Sequence, residues 1–105
     1  MAINSWKQFD LTGRSGGGNG VASANGGIAA VSRIPGSMEV WWINQDGSVH
    51  DAFWYDNAQW RHLEIAPPGS ASANSGIAAV SRIPSSMEVW WIGTDGSVQD
   101  AFWYE

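Results

Sequence analysis

A stretch of 29 residues occurs twice in this chain, almost letter for letter. Residues 27–55 read GIAAVSRIPGSMEVWWINQDGSVHDAFWY, and residues 76–104 read GIAAVSRIPSSMEVWWIGTDGSVQDAFWY, a register shift of 49 residues. Repeats with a period of roughly 40–50 residues are typical of propellers and solenoids. The sequence therefore predicts two copies of one structural unit. The copies differ at only four positions, which are Gly36/Ser85, Asn44/Gly93, Gln45/Thr94 and His50/Gln99.

Each unit is predicted to contain four short strands. In the first copy these are 28–32 (IAAVS), 38–43 (MEVWWI), 49–55 (VHDAFWY) and 60–65 (WRHLEI). Proline after the first strand favours a turn, and Asp46-Gly47 is a strong hairpin signal between the second and third. No segment shows an apolar period of 3.6 over three turns, so the prediction is all-β.

The order of the strands predicts how copies of the chain associate. Four antiparallel strands at this period indicate the blade of a β-propeller, which is apolar on both faces because it packs between neighbouring blades. Residues 6–11 (WKQFDL) have the pattern of the fourth strand but precede the first copy, and no fourth strand follows the second copy. We therefore expect one two-blade unit over 1–105. Residues 27–65 form blade 1, and residues 76–105 give three strands of blade 2. Strand 6–11 completes a blade of a neighbouring copy. Such exchange closes a ring and removes sheet edges, as a trimer with six blades or a tetramer with eight.

Composition excludes several classes of function. The formal net charge is −5 and the five basic residues are scattered, which argues against nucleic acid binding. Cysteine is absent, and no apolar run is long enough to span a membrane. We predict no cofactor and no metal site. The start lacks the pattern of a signal peptide, so the chain as written is expected to be cytoplasmic or secreted by a non-classical route.

Aromatic and charged residues recur together in each copy and suggest a sugar site. Carbohydrates present an apolar face for stacking on aromatic rings and hydroxyl groups for fixed polar partners. Strand alternation places Glu39 and Trp41 on one face and Trp42 on the other, so the two tryptophans of each pair should face different neighbouring blades. For any one tryptophan the blade core is favoured over a ligand wall, and Arg33 with Glu39 can equally be a structural ion pair. The candidate sugar-binding residues are Arg33, Glu39, Trp41, Trp42, Asp51, Trp54 and Tyr55, with their copies Arg82, Glu88, Trp90, Trp91, Asp100, Trp103 and Tyr104.

The motif SRIPGSMEVWWI, followed by DGSVxDAFWY and a strand that begins Trp-Arg or Trp-Lys, resembles the blade repeat of the Psathyrella velutina lectin-like and Photorhabdus lectin-like propellers. The resemblance covers both copies and nearly the whole chain. It implies a multivalent lectin that binds fucose, N-acetylglucosamine or a related sugar in pockets between blades. Members of that family carry about seven blades in one chain, whereas this chain has two.

Two functions other than a lectin are alternatives for this sequence. The first alternative is a designed or reconstructed propeller fragment that assembles with itself and has no physiological ligand. The second is a glycosidase, which requires two carboxyl groups in different environments across one bond. Near-identical copies do not separate the two roles, so we predict that the chain is not an enzyme. His50 and His62 align with glutamines, which argues against a repeated chemical role for either.

Overall fold

The structure is a computed structural model that describes residues 6–14, 20–56 and 59–104. Its elements form two antiparallel sheets. Sheet 1 has the order β1-β2-β3-β4 and sheet 2 the order β5-β6-β7. In chain order the elements are α1 (Leu11–Arg14), β1 (Ile28–Val31), β2 (Met38–Ile43), β3 (Val49–Trp54), β4 (Arg61–Ala66), β5 (Ile77–Val80), β6 (Met87–Ile92) and β7 (Val98–Trp103).

The all-β prediction is confirmed for both copies, and the strand bounds differ from the expected ones by only a residue or so at a few ends. The expectation that no helix forms was wrong for the four residues of α1. No helix in the part of the chain that the structure describes is long and apolar enough to cross a membrane.

The leading segment, residues 6–11, does not form a strand in the single chain. Trp6 is 98% exposed, and the segment runs into α1 at Leu11. A β-strand requires a sheet edge to pair with, and β4 already follows β3 in sheet 1. Among the described residues no fourth strand continues sheet 2 beyond β7. Pairing of this segment with the sheet 2 of another copy therefore stays a prediction.

The Asp-Gly hairpins form as expected. Gly47 and Gly96 take the left-handed backbone conformation, with φ angles of 82° and 84°. Asp46 Oδ1 accepts hydrogen bonds from the backbone N and the Oγ of Ser48, at 2.9 and 2.5 Å. These hydrogen bonds lower the pKa of the Asp46 carboxyl group. Asp46 thus serves the turn, as predicted.

Each sheet has two different faces, which we call front and back. The front face of sheet 1 carries Glu39, Trp41, Ile43, Val49, Asp51 and Phe53, and its back face carries Met38, Val40, Trp42, His50, Ala52 and Trp54; sheet 2 has the corresponding faces. The front face of sheet 1 packs against the back face of sheet 2. The two sheets share one core, whose buried members are Trp41, Ile43, Val49, Ala71, Met87, Val89 and Trp91.

This packing covers identical residues in one copy and leaves them exposed in the other. Ile43 and Val49 on the front face of sheet 1 are 1% and 0% exposed, whereas Ile92 and Val98 on the front face of sheet 2 are 41% and 71% exposed. The front face of sheet 2 is thus a core surface without a cover in the single chain.

One of the four differing positions creates a defect in the second copy. Trp42 Nε1 donates to Asn44 Oδ1 at 3.0 Å, but Gly93 occupies the position of Asn44 in the second copy. Trp91 Nε1 is buried and has no hydrogen-bond partner among the described residues. Loss of a partner for a buried donor costs about 1–3 kcal/mol.

Replacing Gly93 with Asn is expected to stabilise the protein by about 1 kcal/mol, because the new amide can accept from Trp91 Nε1. A Cβ at Gly93 approaches Ser97 Oγ at 2.9 Å, but Asn44 tolerates the equivalent serine, Ser48, in the first copy. Urea unfolding measures the change. Gly93→Ala is the matched control, since it adds the Cβ without the amide, and an equal gain from Gly93→Ala would contradict the explanation.

Candidate functional site

A cavity of about 440 Å³ lies between the two sheets, which is within the range of small-ligand pockets. Sheet 1 contributes its front face and sheet 2 mainly its back face. The lining residues are Glu39, Trp41, Asp51, Phe53, Tyr55, Leu63 and Ile65 from the first copy and β4, with Met87, Glu88, Val89, Ala101, Phe102 and Trp103 from the second. The cavity is thus mostly apolar and aromatic, with a few carboxyl groups.

Two carboxyl groups on the front face of sheet 1 form a buried pair. Asp51 lies opposite Trp41 in the sheet, and Glu39 lies two residues before Trp41 on the same face. Both side chains are 6% exposed, and their carboxyl groups are hydrogen-bonded to each other. Burial and the neighbouring Glu39 carboxylate raise the pKa of Asp51 to about 9, and burial also raises the pKa of Glu39. A pKa of about 9 keeps Asp51 protonated at neutral pH, and the protonated carboxyl group can donate to Glu39.

One carboxyl oxygen of Asp51 is a candidate contact for a ligand. Asp51 Oδ1 is buried, belongs to a residue that lines the cavity and has no hydrogen-bond partner among the described residues. A buried polar atom without a partner costs free energy, and a hydroxyl group in the cavity would satisfy it.

An arginine lies between two of the aromatic rings that line the cavity. Arg33 donates to the Tyr55 hydroxyl from Nη2 at 2.8 Å and from Nε at 3.1 Å. Its guanidinium carbon is 5.0 Å from the ring centroid of Tyr55 and 4.8 Å from that of Trp103, which belongs to the other sheet. The positive charge of Arg33 also favours the ionised form of Glu39. The first copy and the second thus jointly build one site.

The second copy carries the same polar set on its uncovered front face. Tyr104 donates to Glu88 Oε1 at 3.4 Å, and Arg82 Nε donates to the Tyr104 hydroxyl at 3.3 Å. A hydrogen bond to Asp100 raises the pKa of Glu88. The guanidinium carbon of Arg82 lies 5.4 Å from the ring centroid of Tyr104, but no tryptophan of the described residues stacks on its other side. The second copy is therefore half of the arrangement seen in the first.

Among the remaining candidate tryptophans, Trp41 lines the cavity, and the others do not. Trp41 and Trp91 pack in the common core, so the prediction that paired tryptophans face different sides is confirmed. Trp42 is on the back face of sheet 1, where its ring lies against His50 and His62. Trp54 is also on that back face, and Trp90 is on the front face of sheet 2.

The two histidines form a small polar cluster instead of a ligand site. His50 Nδ1 lies 2.8 Å from His62 Nε2, and its Nε2 lies 2.7 Å from Ser48 Oγ. Burial lowers the pKa of His62. Among the described residues, no group of three or more histidine, cysteine, aspartate or glutamate side chains could hold a metal ion.

The apolar lining of the cavity was not among the sequence candidates. Phe53 shares the front face with Asp51, so strand alternation alone could have identified it. Met87 and Val89 belong to the back face of the other copy, and only the packing of the two sheets brings them to the cavity.

Three solved structures resemble this chain. The lectin BP39L from Burkholderia pseudomallei matches with a TM-score of 0.65 and 20% identity, over 74% of this chain and 23% of that one. AofleA from Arthrobotrys oligospora matches with a TM-score of 0.68 and 19% identity, over 79% of this chain and 24% of that one. A variant of AofleA with three arginines replaced by alanine matches with a TM-score of 0.67 and 20% identity, over 78% of this chain and 24% of that one.

The likeness is one of fold. This chain spans only about a quarter of the length of each matched protein. No protein-family model and no curated protein matches the sequence. The specific lectin family that the motifs resemble therefore stays a prediction, while the broader likeness to a solved lectin is a finding.

Proposed function

We propose that this chain is a non-catalytic, sugar-binding unit of a β-propeller, and that it binds fucose or a related monosaccharide in the cavity between its two sheets. The observation that carries this proposal is the buried Glu39–Asp51 pair in an aromatic cavity, with Asp51 Oδ1 directed to no partner among the described residues. The fold likeness to BP39L, whose name states that it is a lectin, supports it.

The cavity matches the chemistry of a monosaccharide. Aromatic rings from both sheets offer apolar surfaces to the C–H face of a sugar ring. Asp51 Oδ1 accepts from one hydroxyl group, and the Arg33 guanidinium, which packs against the lining residues Tyr55 and Trp103, donates to a second. The same lining offers no cluster of basic residues for a phosphate or another strongly anionic ligand.

The geometry of the carboxyl pair argues against glycoside hydrolysis. A glycosidase holds its two carboxyl groups about 5–9.5 Å apart, so that the scissile bond and its nucleophile lie between them. Glu39 and Asp51 are hydrogen-bonded directly to each other, which leaves no room for a glycosidic oxygen between them. We therefore propose binding without turnover.

We also propose that copies of the chain close into a ring of blades, as three or four chains. Within one chain, the front face of sheet 1 packs on the back face of sheet 2. At the two ends, the front of sheet 2 has the same residue types as the front of sheet 1, and the back of sheet 1 nearly the same as the back of sheet 2. The front of sheet 2 is exposed at Ile92 and Val98, and the back of sheet 1 is exposed at Met38 but buried at Trp42 and Ala52. Head-to-tail contact between such surfaces forms a ring when the rotation closes. Several weak sites in one ring give avidity.

Sugar binding is tested by titration calorimetry and thermal unfolding with L-fucose and N-acetylglucosamine. We expect a dissociation constant in the micromolar to millimolar range and a melting temperature that rises with sugar concentration. Asp51→Ala and Trp103→Ala are expected to weaken binding at the cavity at least tenfold, because each removes a group that lines it.

His50→Gln is the matched control for these variants. It lies on the back face and introduces the residue found at the same place in the second copy, so sugar binding should not change. A ring that forms normally but binds neither sugar would favour the alternative, a self-assembling unit without a sugar ligand. Native mass spectrometry counts the chains in the ring.

A further inference from the structure

The histidine pair between β3 and β4 has no counterpart in the second copy. His50 and His62 are the two histidines of the chain, and they align with Gln99 and Gln8. We propose that this pair is an acid-sensitive latch, which holds β4 on sheet 1 at neutral pH and releases it when both imidazoles are protonated. The latch itself requires no ligand. Its effect on sugar binding, described below, rests on the proposed function.

A chain of hydrogen bonds determines which nitrogens of the pair carry protons. Hydrogen bonds from Ser48 lower the pKa of Asp46, and the resulting carboxylate accepts the hydroxyl proton of Ser48 at 2.5 Å. Ser48 Oγ therefore accepts from His50 Nε2, which lies 2.7 Å away. The neutral His50 ring thus has its proton on Nε2, and its Nδ1 is an acceptor. His62 Nε2 lies 2.8 Å from that Nδ1 and donates to it.

The pair accommodates one added proton but not two. The two ring centroids are 4.8 Å apart and the ring planes differ by 23°, so the rings lie side by side as an in-plane hydrogen bond requires. A first proton on His62 Nδ1 leaves every hydrogen bond in place. A second proton on His50 Nδ1 makes two N–H groups of two cations face each other across 2.8 Å. The doubly protonated rings must therefore move apart.

The charged groups around the pair stabilise one positive charge. In the described part of the chain these are Glu64 of β4, whose Oε1 is 3.6 Å from His50 Nε2, and Asp46 of the turn before β3. The segment 20–24 runs beside the end of β2 and has no titratable side chain. Burial and then a charge on His50 lower the pKa of His62, while Glu64 acts in the opposite direction. His50 is only 5% exposed, so water does little to stabilise a second charge.

β4 is the element that can respond to this repulsion. It is the last strand of sheet 1 and pairs only with β3, and the ladder between them shifts register at Val49 and His50. Strands with few partners open locally at a lower free energy than central strands. Leu63 and Ile65 of β4 line the cavity. Release of β4 therefore removes one wall of the cavity.

The second copy has the same chain of hydrogen bonds without a titratable ring. Gln99 Nε2 donates to Ser97 Oγ at 2.6 Å, and Ser97 Oγ donates to Asp95 Oδ1 at 2.5 Å. A glutamine amide can thus take the place of the His50 imidazole, and it binds no proton between pH 5 and pH 8. The turn does not require histidine, so the histidine adds sensitivity to pH.

The latch is tested without sugar, by NMR amide exchange of residues 61–66 between about pH 7.5 and about pH 5. Below pH 6 the protection of β4, relative to that of β2, is expected to fall by up to about tenfold per pH unit. The reason is that the separated histidines take up one more proton than the closed pair. Constant protection of β4 in the wild type would overturn the proposal.

The double variant His50→Gln/His62→Gln is the matched control, because it introduces the two residues found at these positions in the second copy and in the leading segment. It should keep β4 protected throughout the pH range, and the same acid-induced loss of protection in this variant would contradict the latch. His62→Gln serves if the double variant does not fold. Its new amide can still donate to His50 Nδ1, and a single remaining imidazole should not release β4.

The effect on the ligand is measured separately, by calorimetry with L-fucose at the same two pH values. Wild type is expected to lose about tenfold more affinity in acid than the double variant. Titration of Glu39 in the cavity is common to both proteins and cancels in this comparison. Equal losses would contradict control of the cavity by β4. If neither protein binds L-fucose at about pH 7.5, the proposed function fails, while amide exchange still decides whether the latch exists.

Discussion

Asp51→Asn is expected to stabilise this protein by roughly 2–5 kcal/mol at pH 8 and to flatten the dependence of its unfolding free energy on pH. The reason is that Asp51 is buried beside Glu39 and holds a proton in the folded state, with a pKa raised to about 9. An unfolded aspartate loses its proton near pH 4. An asparagine amide donates to Glu39 as the protonated carboxyl group does, without requiring that proton.

The sign of the pH dependence follows from proton binding. Between about pH 4 and pH 9 the folded state binds one more proton at Asp51 than the unfolded state does. The proton on Asp51 stabilises the folded state fully below the pKa that this residue has in the unfolded chain. This stabilisation is lost as pH rises through the pKa that it has in the folded chain. Unfolding free energy should therefore fall by up to about 1.4 kcal/mol per pH unit.

Urea unfolding at fixed protein concentration between pH 7 and pH 9 measures this slope. Burial lowers the pKa of His62, which adds a change of opposite sign at lower pH, so that range is avoided. Asp100→Asn is the matched control, because Asp100 is exposed in the single chain. At concentrations where chains are separate it should leave the slope unchanged. An unchanged slope in Asp51→Asn would show that the pair does not hold the proton.

Deleting residues 1–11 is expected to convert the ring into separate chains at micromolar concentration. The leading segment is proposed to pair with β7 of the neighbouring copy, where sheet 2 has no further strand among the described residues. Each backbone hydrogen bond contributes about 0.5–1.5 kcal/mol, so loss of a six-residue strand should weaken each junction roughly a hundredfold or more. Native mass spectrometry and sedimentation over a concentration series measure the change.

A single substitution distinguishes strand pairing from an unspecific role of the segment. Proline cannot donate to a strand ladder, so Gln8→Pro should weaken the ring nearly as much as the deletion. Gln8→Ala removes the same side chain and keeps the N–H, so the ring should persist. A ring that survives both the deletion and Gln8→Pro would refute strand exchange.

The local structure of the repeats could be predicted from the sequence in detail. Asp46-Gly47 specified the hairpin because its glycine adopts the required left-handed conformation, at φ 82°. Alternation assigned Trp41 and Trp42 to opposite faces because successive side chains of a strand point to opposite sides. These features depend on neighbours along the chain.

The composition of the site could be predicted only in part. The pairing of Glu39 with Asp51 requires β2 and β3 in their observed register, which alternation within each strand does not give. The leading segment is the other limit, since its strand pattern does not produce a strand in the single chain, where β4 already follows β3 in sheet 1.

The sequence alone thus determined the repeat, the strands, the hairpins and the face on which each polar residue lies, because these depend on local conformation and on a period of two. Only the tertiary structure decided that Trp103 of the second copy packs over the site on the front face of sheet 1, while the front face of sheet 2 stays exposed. The physical reason is that packing joins unlike faces of like sheets. The residue pattern of one sheet does not specify which other sheet packs against it.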